Sequence, residues 1–92
     1  MNTTTLTSSE DIWVLFDGCP TCHPGNATYL DECRTQAQKT RRQLHVIPSG
    51  SQTATLIRLI AKNQGRHIKY PMILADGIIR YNPQDITERS HQ

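Results

Sequence analysis

Apolar residues in this chain come in short bursts, and the spacing inside each burst predicts its conformation. Ile12-Trp13-Val14-Leu15-Phe16 places five large apolar residues in a row, closed by Asp17-Gly18. A run of that length ending at a turn signal predicts a buried strand over 11–17. Tyr29, Leu30, Cys33 and Ala37 then return at three- and four-residue steps, which predicts a helix from about Asn26 to Arg42. Asn26 is the expected cap, and Asp31 and Glu32 sit early in the helix. Lys39-Thr40-Arg41-Arg42 closes it, where cations complement the macrodipole, so this cluster reads as a solvated last turn. Pro24 lacks an N–H and biases His23 away from helical geometry, so the helix is expected to be distorted or to restart at Asn26.

The second half of the chain is punctuated as clearly. Leu44 to Ile47 predicts a short strand, stopped by Pro48-Ser49-Gly50. Ser51 is placed to cap a helix through about Asn63, with Leu56, Ile57, Ile60 and Ala61 on one stripe and Gly65 as its stop. Tyr70 to Ala75 and Ile78 to Tyr81 predict two strands, joined by Asp76-Gly77, a strong local hairpin signal. Asn82 and Pro83 suit the cap and first position of a last short helix, with Ile86 pointing inward. The order is β-α-β-α-β-β-α, without repeat or linker. It predicts one domain over 11–92 behind a polar, disordered tail over 1–10.

Composition narrows the function classes. Ninety-two residues at 36% hydrophobic content support a single shared core. A net charge of +2, with aromatic content of 5% and no aromatic residue interleaved with the basic ones, gives no expectation of nucleic-acid binding. No run approaches the ~20 apolar residues that span a bilayer, so no membrane association is expected. The first ten residues carry neither a cationic start nor an apolar stretch. Three cysteines make an odd number, which argues against a secreted disulfide scaffold and for a reducing compartment. The expected location is cytoplasmic.

The candidate chemistry lies directly after the first strand, in Cys19-Pro20-Thr21-Cys22. Two thiols at this spacing can close a small disulfide ring. Exchange requires a thiolate to attack and a second thiol to release the mixed disulfide. Cys19, at an exposed strand-to-helix junction, is the expected nucleophile, and Cys22, about a turn further in, the resolving thiol. A protonated His23 would stabilise a thiolate. Cys33 shares the apolar stripe of its helix and reads as a buried structural cysteine. Other chemistries fit the same residues. Cys19-x-x-Cys22-His23 is also the c-type haem attachment pattern, with Met72 as a distal ligand, and Cys19, Cys22, His23 and Cys33 together would suit zinc.

A Cys-Pro-x-Cys after the first strand, together with Tyr70-Pro71 opening a late hairpin strand, resembles the thioredoxin superfamily. Length and element order look most like its glutaredoxin-like branch. The resemblance implies a minimal thioredoxin fold, an α/β architecture with a central four-stranded mixed sheet flanked by three helices. It implies a thiol-disulfide oxidoreductase in which Cys19 attacks and Cys22 resolves. It also implies a cis bond before Pro71, with the backbone of Tyr70, alongside Pro20 and Thr21, meeting the substrate. No cofactor is implied, and the expected state is a monomer acting on a protein disulfide or a small thiol. Two glutathione-recognition features of glutaredoxins are missing. Phe16-Asp17-Gly18 stands where they carry a lysine, and Arg80-Tyr81-Asn82 where they carry a Gly-Gly pair. Glutathione is therefore an expected weak substrate, unless Arg66, Lys69 or Arg80 replaces the missing cation. A binding module that keeps the fold without turnover is the remaining reading.

Overall fold

Successive residues of a strand point to opposite faces, so the unbroken run at 12–16 supplies both sides of a sheet at once. The computed structural model, which describes residues 11–18 and 24–86, shows this division. Ile12, Val14 and Phe16 face one way and pack with Leu30, Cys33, Ala37, Ile73 and Ile86. Trp13 and Leu15 face the other way and pack with Ala54, Ile57, Ala61, Met72, Leu74 and Ile79. Full burial of a side chain such as Leu15 or Ile73 stabilises the fold by about 1.5–3 kcal/mol. A central strand filled on both faces thus anchors two half-cores.

The elements run β1 (Asp11–Leu15), α1 (Pro24–Thr40), β2 (Gln43–Ile47), α2 (Gln52–Asn63), β3 (Met72–Ala75) and β4 (Ile78–Arg80), followed by a 3-10 turn at Pro83–Asp85. The strands form one mixed sheet in the order β2-β1-β3-β4. β1 and β2 are parallel, with Trp13 opposite His45. β3 is antiparallel to β1, with Leu15 opposite Met72, and β4 is antiparallel to β3. A parallel neighbour requires a long crossover, which α1 provides, whereas the antiparallel β3–β4 pair closes through a two-residue turn. Asp76 (φ 57) and Gly77 (φ 76) both take positive φ, the signature of a type I′ hairpin turn. α1 and the 3-10 turn cover one face of the sheet, and α2 covers the other.

Several expectations are corrected. The described residues hold two α-helices rather than three. The last predicted helix is a single 3-10 turn, capped by the Asn82 side chain, which accepts from Gln84 N at 2.9 Å. Ile86 is nonetheless buried beside α1. Pro24 and Gly25 are already helical, so α1 does not restart at Asn26. Asn26 therefore lies inside the helix and is not the cap.

α1 also ends earlier than expected, at Thr40. Arg41 takes a left-handed φ of 58°, and Arg42 N returns to Ala37 O at 2.8 Å. The basic cluster is thus not simply a solvated turn. Arg42 folds inward, its side chain 2% exposed, and forks onto Asp76 with contacts of 2.6 and 3.3 Å. The first strand stops at Leu15 rather than 17, and the hairpin strands span Met72–Ala75 and Ile78–Arg80, shorter by one or two residues than expected. The tail over 1–10 lies outside the described residues.

Candidate functional site

Phe16, Asp17, Asn26, Tyr70 and Pro71 line an open cleft at the end of the sheet where β1 finishes and β3 begins. Phe16 is buried and forms its floor, while Asp17 is exposed at its rim. Gly18 leaves the strand with a φ of 99°, a conformation costly for any side chain. The chain then passes through 19–23 and enters α1 at Pro24. Cys19, Pro20, Thr21, Cys22 and His23 lie outside the described residues. Gly18 and Pro24 are the described residues that flank them in sequence.

Of the sequence-derived site residues that are described, Tyr70 and Pro71 both line this cleft, and the bond between them is cis. The Tyr70 hydroxyl accepts a hydrogen bond from Arg58 Nε at 2.8 Å, and Arg58 also donates to Ser49 O at 2.9 Å. One arginine of α2 therefore ties the residue before Pro71 to the loop after β2. Arg58 was not singled out from the sequence. The available signal was a lone charge inside the apolar run Leu56-Ile57-Arg58-Leu59-Ile60. On the other side, the Tyr29 hydroxyl donates to Tyr81 O at 2.6 Å, and its ring meets Phe16 edge-on at 5.8 Å. Burial, with the Cys33, Asp85 and Glu32 groups close by, pushes the Tyr29 phenol well above its ordinary range, so it stays a donor.

Cys33 is fully buried between β1, β3 and α1. Burial, helped by the neighbouring Glu32 carboxylate, pushes its thiol up to about 12. It is therefore a protonated core residue, and a zinc site drawing on it would have to open the core. Met72, offered as a distal haem ligand, is fully enclosed on the α2 side among Leu15, Ile57 and Leu74. No group of three metal-ligating side chains assembles among the described residues. None of their helices is long and apolar enough to cross a membrane. Arg80, opposite Ile73 in the β3–β4 register, belongs to the α1-facing set, whereas Ile79 and Tyr81 belong to the α2-facing set. No family model, no curated protein and no solved structure matches the chain.

Proposed function

We propose that the chain is a thiol-disulfide oxidoreductase of a thioredoxin-like kind, with Cys19 attacking and Cys22 resolving. The observation that carries the reading is the cleft in which Tyr70 and Pro71 meet Phe16 and Asp17, the latter two positions before Cys19 in the sequence. The sheet order β2-β1-β3-β4, with one parallel and two antiparallel pairings, supports the same reading. So does the helix α1, described from Pro24 two positions after Cys22 in sequence, since free N–H groups at a helix start favour a thiolate.

The reaction balances without a cofactor. The Cys19 thiolate attacks one sulfur of a substrate disulfide, and the substrate's other sulfur leaves as a thiolate and takes a proton. Cys22 loses its proton and attacks the Cys19 sulfur, expelling the second substrate thiolate. Two electrons and two protons pass to the substrate, and Cys19–Cys22 becomes the disulfide. An external dithiol reductant returns it to the starting state.

Reduction of a small neutral disulfide, coupled to such a reductant, tests the proposal. Cys19→Ser abolishes turnover, and Cys22→Ser accumulates a mixed disulfide visible by mass. A reduced wild type that turns over no disulfide at all overturns the reading in favour of a binding module. Faster alkylation of Cys22 than of Cys19 reverses the two roles.

A further inference from the structure

Two cations beside the cleft are not required by the dithiol chemistry. On the α2 side, Arg66 and Lys69 stand over a single ring, with Arg66 Cζ 5.0 Å and Lys69 Nζ 5.6 Å from the centroid of Tyr81. Neither has a carboxylate partner among the described residues, where the ion pairs join Arg34 to Asp31, Arg42 to Asp76 and His45 to Asp11. Two cations held against one aromatic ring are already positioned, so less side-chain freedom is lost when an anion arrives.

The intervening segment is also held in place. The Tyr81 hydroxyl donates to His67 O at 2.6 Å, and Ile68, between the two cations in sequence, is 41% exposed. An apolar side chain with a charged rim is the ordinary composition of a protein-binding patch. The patch adjoins the cleft by two routes. Lys69 leads directly into Tyr70 and Pro71, and Tyr81 O is bonded to Tyr29, whose ring meets the cleft-lining Phe16.

We propose that Arg66 and Lys69, set on Tyr81 beside the cleft with Ile68 between them in sequence, dock an acidic, apolar-centred segment of the protein whose disulfide is exchanged. The proposal rests on the dithiol reading and names its substrate class. A polypeptide fits better than a nucleic acid. The ring of Tyr81 is engaged by Arg66 and Lys69 and that of Tyr70 by Arg58, so neither stands free as a platform for a base.

Fluorescence anisotropy of labelled, cysteine-free peptides tests docking apart from redox chemistry. One peptide carries glutamates around a central leucine, its counterpart carries lysines, and a single-stranded oligonucleotide is the third probe. The full chain is expected to prefer the glutamate peptide, more weakly as salt rises. Arg66→Glu with Lys69→Glu is expected to weaken that binding by on the order of tenfold. The milder Arg66→Gln/Lys69→Gln pair shows the same direction if the reversed variant does not fold. Arg80→Glu, which reverses one charge on the opposite face and matches the charge change of the Arg66→Gln/Lys69→Gln pair, leaves the binding in place.

Equal binding of the two peptides, tighter binding of the oligonucleotide, or an equal loss in Arg80→Glu overturns the proposal. Because the peptides contain no sulfur, turnover of a neutral disulfide by the unaltered protein reports separately on the dithiol.

Discussion

Arg42 is the one charged residue buried among the described residues, and both terminal nitrogens of its guanidinium meet the Asp76 carboxylate. Replacing Asp76 by Asn isolates that dependence. Asn tolerates the positive φ that this turn position requires, and it keeps the size of the side chain. What it removes is the negative charge opposite a guanidinium whose side chain is 2% exposed. Stranding one member of a buried pair costs about 3–5 kcal/mol, but Asp76 is itself 32% exposed and the Asn carbonyl still accepts one bond. Solvent screening and the retained bond bring the expected loss to about 1.5–3 kcal/mol.

For a domain of this size that lowers the melting temperature by about 6–20 °C. Thermal unfolding followed by far-UV circular dichroism measures the shift directly. A double-mutant cycle with Arg42→Met then separates pairing from packing. The double variant should be more stable than the sum of the single losses predicts, by at least ~1 kcal/mol. A shift under about 2 °C in Asp76→Asn, or additive losses in the cycle, would refute the claim that this pair fastens the hairpin to the end of α1.

Cys33→Ala should leave disulfide turnover intact while costing about 1–2 kcal/mol, from a lost buried sulfur and the space it leaves. Because the folded thiol titrates at about 12 against an ordinary 9, the folded state holds its proton longer. The stability this contributes is fully present below pH 9 and is lost as pH rises toward 12, so wild type should weaken over that window more steeply than Cys33→Ala. Identical alkaline unfolding profiles would show that the thiol is not held as described. Arg41→Gly should stabilise by about 0.5–1 kcal/mol, since Arg41 occupies at the end of α1 the left-handed position that glycine fills more cheaply. A fall in melting temperature would count against this. Asp17→Lys puts a cation at the cleft rim and should raise turnover of a glutathione mixed disulfide by tenfold or more, about 1.5–3 kcal/mol for one charge-assisted bond. Unchanged kinetics would place glutathione recognition elsewhere.

How far the sequence could be read depended on the range of the interaction that decides each feature. The run at 12–16 declared a strand buried on both faces, and Asp76-Gly77 declared its hairpin, because both signals are local. Ser51 capped α2 as read, its side chain accepting from Ala54 N. The end of α1 was misread because Arg42 takes its partner from a turn far along the chain, and no local spacing distinguishes a solvated arginine from a buried one. Asn26 looks like a cap in sequence because Pro24 suggests a break in the helix, whereas Pro24 is itself helical. The terminal segment announced its cap and its inward Ile86, but not that these hold a single tight turn instead of a helix. Arg58 and Tyr70 meet only when α2 and the approach to β3 are folded together, and the grip of Arg66 and Lys69 on Tyr81 is equally a product of folding.

The hairpin at the rim of the sheet has a further property. β4 is three residues long, and the N–H of Ile79, a donor that β3 does not take, is accepted by the side-chain carbonyl of Gln64 at 3.0 Å. The same amide donates to Gly77 O, so one glutamine presents to β4 the donor and acceptor that another strand would offer. An unpaired strand edge is a template for unwanted chain-to-chain growth. Here α2 lends its last turn to occupy that template at one rim, which leaves β2 as the margin along which the sheet could be extended.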